Sequence, residues 1–254
     1  MIKIILSGCY GYMGRVVTGI ASADPDVEIV AGIDTAAGEP CSYPVFSKPN
    51  EFTGDAGVVL DFSHPSALDG LITYCLSKKI PLILCATGYT AEQIEGIKKA
   101  SEQIPVFRSG NMSLGINLLL DLIKRAGSVL GSDFDVEIVE RHHRRKVDAP
   151  SGTALMLANA AGEALPYDAR PVFERHGKRE PRGVEEIGIS AVRGGTIVGV
   201  HEVIFAGLDE VIELKHTASS RDIFAVGALK AVKFMIDVDI PGIYDMSSVL
   251  NPVL

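Results

Sequence analysis

No apolar run in this 254-residue chain approaches the roughly 18 residues that a membrane-spanning helix needs, so a helical membrane protein is excluded as an expectation. The apolar part of Met1–Ser7 is too short for a signal peptide and runs at once into a glycine motif, so a cytoplasmic location is expected. Positive charge is in deficit. The formal net charge is −8, and a chain of that sign is not expected to grip nucleic acid electrostatically. Cysteine is scarce and scattered: Cys9, Cys41, Cys75 and Cys85 form no CxxC pair. That argues against a zinc site or a dithiol redox motif and for reduced thiols. Internal repeats and low-complexity segments are absent as well.

What is present is ordinary in proportion. Apolar residues make up 47% and charged residues 22%, a balance typical of a soluble globular protein. The length allows one large or two modest domains. The first half alternates strand-like and helix-like segments: strands at 2–7, 27–33, 58–62, 81–84 and 105–107, with helices at 11–22, 66–77 and 90–101. Pro65 suits a first helical turn, and Thr90-Ala91-Glu92-Gln93 is a capping box. This order predicts a doubly wound parallel sheet of the Rossmann type with helices on both faces. After Asn111 the pattern changes. A helix capped by Ser113 is predicted to run to Leu130, with a strand at 135–139, a helix at 153–164 and a long loop over 166–183. A meander at 187–192, 196–205 and 211–217 follows, then a helix at 221–237 and a Pro-containing coil tail. Consecutive strands joined by tight turns imply antiparallel pairing. The second part therefore reads as an α+β unit with an open mixed sheet, a common place for oligomer contacts.

Gly8-Cys9-Tyr10-Gly11-Tyr12-Met13-Gly14 follows the first strand and opens the first helix. Such a loop lets backbone approach a pyrophosphate and aims a helix N-terminus at its charge. Asp34 ends the second strand, where a carboxylate accepts hydrogen bonds from adenosine ribose hydroxyls. It would repel a 2′-phosphate. Thr35, Ala36 and Ala37 supply no offsetting cation, and Lys48 is the nearby lysine that could. NADH is expected to serve at least as well as NADPH. The alternative is a glycine turn of some other α/β protein.

The run Glu140-Arg141-His142-His143-Arg144-Arg145-Lys146-Val147-Asp148-Ala149-Pro150-Ser151-Gly152-Thr153-Ala154 is a basic cluster inside an acidic chain. Three readings compete. Metal ligation suffers because adjacent histidines point apart and no nearby ligand completes a set. A solvated basic loop is the plain alternative. An active-site loop would use histidine as proton donor, Lys and Arg as fixed charge for carboxylates, and the helix N-terminus at Ser151-Gly152-Thr153 as an anion cradle.

These motifs resemble those of the 4-hydroxy-tetrahydrodipicolinate reductase (dihydrodipicolinate reductase) family. The signature is Glu137-Ile138-Val139-Glu140-x-His142-His143-x-x-Lys146-Val147-Asp148-Ala149-Pro150-Ser151-Gly152-Thr153-Ala154. Gly8–Gly14, Asp61-Phe62-Ser63, Cys85-Ala86-Thr87-Gly88, Asn111-x-Ser113-x-Gly115-x-Asn117 and His216-x-Ala218-Ser219-Ser220-Arg221 match its other elements. The resemblance implies hydride transfer from NADH or NADPH to a cyclic imine dicarboxylate in the diaminopimelate route to lysine. His142 takes the general-acid position, Lys146 that of its proton-donor partner, and His143, Gly152 and Thr153 those of substrate contacts. Gly8, Cys9, Tyr10, Gly11, Tyr12, Met13, Asp34, Cys85, Ala86, Thr87, Ser109, Gly110, Asn111 and Met112 fall on cofactor positions. Arg221 would assist substrate binding or domain closure. The resemblance also implies a discontinuous cofactor domain, 1–112 with 222–254, around a substrate and oligomerisation domain at 113–221, and a homotetramer. No metal is implied. The chain departs from the family at Cys85-Ala86 (for Gly-Thr), Ser109-Gly110 (for an Ala pair) and Tyr12 (for Arg), changes that bear on cofactor preference. Three alternatives stand beside this reading: an NAD-dependent amino- or imino-acid dehydrogenase, a dinucleotide sensor without chemistry, and a metallohydrolase.

Overall fold

The computed structural model describes residues 1–177 and 179–251. Two compact units divide the chain, Met1–Leu114 with Asp222–Leu254, and Gly115–Arg221. The chain runs β1 (Ile2–Ser7), α1 (Tyr12–Ala21), β2 (Val27–Ile33), β3 (Val45–Phe46), β4 (Val58–Asp61), α2 (Leu68–Lys78), β5 (Leu82–Leu84), α3 (Ala91–Ser101) and β6 (Pro105–Arg108). Next come α4 (Leu114–Leu130), β7 (Asp135–His142), α5 (Gly152–Ala164), β8 (Arg170–Val172), β9 (Glu186–Arg193), β10 (Gly199–Ala206) and β11 (Val211–Ala218). The chain ends with α6 (Asp222–Met235), β12 (Gly242–Tyr244) and α7 (Met246–Leu250).

In the first unit the strands form one parallel sheet in the order β12-β6-β5-β4-β1-β2-β3. The order reverses between β1 and β4, which creates the crevice where doubly wound folds bind ligands. Strand alternation divides the core into two layers. Ile4, Leu6, Val58, Leu60, Ile83 and Phe107 pack with α1 and α6. Ile5, Val59, Leu82, Leu84 and Val106 pack with α2 and α3. Burial on both faces explains why β4 is wholly buried and reads as a near-continuous apolar run. The helix α6 lies close because of its small residues: a Cβ on Gly227 would fall 1.7 Å from the Met112 carbonyl oxygen. The capping box at Thr90–Gln93 is present on α3, and Pro65 opens a 3₁₀ turn ahead of α2. The tail, expected as coil, instead adds β12 to the edge of the sheet and then α7, capped by Asp245.

The second unit holds a mixed sheet, β11-β10-β7-β9-β8. One face of it, with Val136, Ile138, Ile187, Ile189, Val203 and Phe205, packs on α4 and α5. Two expectations are corrected here. The segment 166–183 is not all loop, because β8 pairs parallel with β9. The strands β9 and β10 do not pair with each other, because β7 lies between them, parallel to β9 and antiparallel to β10. A strand that alternates buried and half-buried along its whole length, as β7 does, is suited to such a central place. Only β10 and β11 pair as the meander implied.

Candidate active site

The glycine loop lies in the first unit, at the C-terminal end of β1. Gly8 has φ +78°, and a Cβ there would meet the Phe62 and Ser63 backbone at 2.8 Å. A Cβ on Gly14 would fall 2.2 Å from the Gly8 carbonyl oxygen. Gly11 caps α1 without a side-chain hydrogen bond, leaving the helix N-terminus to meet an anion with backbone. The side chains of the loop turn different ways. Cys9 is fully buried and its thiol is pushed up to about 12 by burial. Tyr10 and Met13 pack on the core and Tyr12 is exposed. Asp34 closes the loop from β2: its carboxylate oxygens accept the Tyr10 amide at 3.0 Å and the Ala36 amide at 2.9 Å. Each oxygen retains a lone pair for a further donor.

Cys85–Thr87 follow β5 at the same sheet edge, where the Cys85 amide donates to the Asp61 carbonyl at 2.9 Å. Burial raises the Cys85 thiol well above its ordinary range, so this cysteine is not a poised nucleophile. After β6, the Ser109 hydroxyl donates to the Asn111 carbonyl at 2.8 Å, and Asn111 Oδ1 accepts the Ser113 amide at 2.9 Å. The hydroxyl of Ser109 thus ties a turn that an alanine could not. These glycine, acid and turn positions fit a dinucleotide.

The second cluster lies wholly in the second unit. His142 is not in a loop, as the sequence reading had it. It is the last residue of β7, on the inward face with Glu140. His142 Nδ1 is 2.6 Å from Glu140 Oε2. Arg193, at the end of β9, grips both Glu140 oxygens at 2.7 Å, and the Ser151 amide donates to Oε1 at 3.0 Å. Burial opposes ionisation of Glu140, but Arg193, His142 and the Ser151 amide outweigh it and hold its pKa below the ordinary glutamate value. Ser151 caps α5 through the Ala154 amide and meets His201 Nε2 at 2.9 Å. The His201 and His142 rings pack edge to face with centroids 5.1 Å apart. Burial, then the charge of His142, pulls His201 down to about 4.

His143 begins the loop after β7. Its Nδ1 is buried and has no hydrogen-bond partner among the described residues. Desolvation and the cations Arg145, Arg221 and Lys146 lower its pKa. Lys146 Nζ pairs with Asp148 at 2.8 Å. Asp148 is held below its ordinary value by Lys146, with the Gly152 amide contributing. Gly152 and Thr153 form the first turn of α5. The structure therefore gathers His142, His143, Lys146, Gly152 and Thr153 on one end of β7 and α5. Sequence reasoning missed Arg193 and His201, which are distant in the chain, and gave Glu140 and Ser151 no part in orienting His142. Among the described residues, no group of three or more His, Cys, Asp or Glu side chains is arranged to hold a metal.

A dinucleotide-binding parallel sheet, joined in one chain to a unit bearing an oriented histidine, a lysine and a helix N-terminus, defines a class: nicotinamide-dependent oxidoreductases. Comparison with known proteins narrows it. Residues 2–112 match the family model "Dihydrodipicolinate reductase, N-terminus" and residues 115–250 match "Dihydrodipicolinate reductase, C-terminus". The chain belongs to the dihydrodipicolinate reductase family. It is 51% identical over 254 residues to the 4-hydroxy-tetrahydrodipicolinate reductase of Clostridium perfringens (strain 13 / Type A), covering 99% of each chain. It is 49% identical over 251 residues to that of Caldanaerobacter subterraneus subsp. tengcongensis, again covering 99% of each. A solved dihydrodipicolinate reductase from Paenisporosarcina sp. TG-14, with dipicolinate bound, superposes with TM-score 0.82 at 25% identity, over 96% of this chain and 97% of that one. The diaminopimelate (DAP) dehydrogenase of C. glutamicum shares the fold, at 13% identity and TM-score 0.57, over 100% of this chain and 96% of that one.

Proposed function

We propose that this chain reduces 4-hydroxy-tetrahydrodipicolinate to tetrahydrodipicolinate with NADH or NADPH, in the diaminopimelate route to lysine. The observation that carries the reading is the hydrogen bond from His142 to a buried carboxylate at 2.6 Å, beside the Lys146 cation and the N-terminus of α5. The net change replaces a ring hydroxyl by hydrogen, so one hydride and one proton enter and one water leaves. Hydride is what a reduced nicotinamide supplies when bound. The Gly8–Gly14 loop and the start of α1 would hold its pyrophosphate, Asp34 its ribose, and the turns at Cys85–Thr87 and Ser109–Met112 its nicotinamide end.

The remaining work falls to residues of the second unit. His142 donates the proton. Lys146, the α5 N-terminus at Gly152-Thr153, and His143, with its unpartnered Nδ1, receive the substrate carboxylates. Asp148 pairs with Lys146 at 2.8 Å, so a substrate carboxylate has to share or displace it. Asp34 disfavours a 2′-phosphate, and NADH is used at least as well as NADPH. The half-exposed face of the mixed sheet provides the contacts of a homotetramer, and free thiols with a soluble cofactor suit the cytoplasm. Oxidation of NADH and NADPH followed with freshly generated substrate tests the reading. No turnover with either, or turnover abolished by a chelator, sinks it.

A further inference from the structure

Glu140 is fully buried, and both of its oxygens face donors: His142 Nδ1 and Arg193 Nη1 on Oε2, Arg193 Nη2 and the Ser151 amide on Oε1. A protonated carboxyl would turn its own hydrogen towards one of them, so the geometry suits the ionised form, and an ionised carboxylate only accepts. Nδ1 of His142 therefore carries a hydrogen in the neutral as well as the charged imidazole. The nitrogen left open is Nε2. It faces Gly199, where a Cβ would come within 3.2 Å, so glycine at that position keeps Nε2 approachable.

Charged and titratable groups surround His142. Glu140 faces it from β7 and Arg193 from β9. His201 faces it from β10, with His216 on β11 beyond, both lowered by burial. His143 and Lys146 lie in the following loop, Lys146 paired with Asp148, while Arg145 and Arg221 act on His143. Glu140 is the carboxylate in direct contact. The bidentate Arg193 holds that carboxylate in one orientation, with its two oxygens aimed at fixed partners.

We infer that Glu140 and Arg193 act as a positioning pair for His142: Arg193 holds the carboxylate in place, and Glu140 fixes the Nδ1–H tautomer and so leaves Nε2 to meet the substrate. The inference rests on His142 being the acid of the proposed reaction. Histidine ¹⁵N NMR on the intact protein tests the pair without turnover. Neutral His142 in the wild type is expected as the Nδ1–H tautomer. Glu140→Gln, whose side-chain amide can offer Nδ1 either a donor or an acceptor, should bring in the Nε2–H tautomer, while Arg193→Met, which leaves the carboxylate an acceptor, should keep Nδ1–H. General damage to the fold would not separate the two variants in this way. In turnover, Glu140→Gln should lower kcat on the order of 10²-fold with a smaller change in KM, and Arg193→Met should lower it less.

An Nε2–H tautomer in the wild type, or a tautomer that Glu140→Gln leaves unchanged, overturns the pair. Where Glu140→Gln does not fold, the wild-type and Arg193→Met tautomers decide. A tautomer shift in Glu140→Gln with an unmoved kcat overturns the role of His142 as acid instead, so the two failures are distinguishable.

Discussion

A Cβ built on Gly14 would stand 2.2 Å from the carbonyl oxygen of Gly8 and 2.7 Å from the Cys9 Cα. Both neighbours are backbone, so neither can swing aside. Gly14→Ala should displace α1 from the end of β1 and cost about 1–3 kcal/mol of stability, as overpacking typically does. The same displacement should raise the Kd for NADH about tenfold or more, because the loop amides lose their geometry. The chain has no tryptophan, so a titration read by nicotinamide fluorescence has no indole background. An unchanged melting temperature together with an unchanged Kd would contradict the packing argument.

On the proposed reading, Asp34 sets the choice between the two nicotinamides. Its oxygens are already oriented by the Tyr10 and Ala36 amides, which fixes the carboxylate where a ribose hydroxyl or a phosphate would arrive. Asp34→Ser should lower kcat/KM for NADH and raise it for NADPH, moving their ratio by about tenfold or more, the size of one charged hydrogen bond. Steady-state kinetics with both cofactors decides it, and a ratio that stays put removes Asp34 from the specificity argument.

His142→Gln should lower kcat by roughly 10²–10⁴-fold while KM changes little, the mark of a group used in the transition state. Lys146→Ala should lower kcat and also raise KM, since on the proposed reading its cation meets the substrate carboxylates as well. Near-normal kcat in both variants would remove the assignment.

Acid should destabilise the second unit before the carboxylates titrate. His201 falls from the ordinary 6.5 to about 4 in the folded protein. Between those values the unfolded chain binds the proton and the folded one does not, so stability rises with pH across that window and is lost on acidification. One histidine so depressed withdraws about 3 kcal/mol over the window. His143 and His216 are lowered too and act with the same sign. Glu140, also lowered, adds its loss further down, as pH falls below the unfolded glutamate value. Denaturant melts from pH 7 to 4 should show the slope, and His201→Gln should flatten it. A slope unchanged in that variant would place the acid sensitivity elsewhere.

Local chemistry was legible in the sequence where a short segment carries its own instruction. The Thr90–Gln93 capping box, the Gly8–Gly14 turn and the apolar run of β4 are of this kind. Elements whose pairing is set by distant partners were not: β3, β8 and β12 have two or three residues each and exist because a neighbouring strand offers an edge. The insertion of β7 between β9 and β10 was hidden for the same reason, because a tight turn argues for pairing and only the sheet as a whole overrides it. In the site, the histidines, the lysine and the helix N-terminus lie within one run of sequence and could be read. Arg193 and His201 come from β9 and β10, 53 positions in sequence from Glu140 and 50 from Ser151, the groups they meet. One signal did exist for Glu140: it stands two residues before His142, on the same side of an alternating strand, where a charge calls for a partner.

The position of His142 at the end of a strand flanked on both sides has a bearing on how the enzyme could change. A register slip of one residue would exchange Glu140 and His142 for Val139 and Arg141 on the inward face, so β7 tolerates no gradual drift. The segment 143–150 lies beyond the strand and is tied at points, by the Arg144 amide on the Gly195 carbonyl at 3.3 Å and by Arg193 on the Asp148 carbonyl at 2.6 Å. Exchanges at its other positions leave strand register untouched, while His142 stays anchored to a part of the sheet that selection, natural or in the laboratory, has to leave alone.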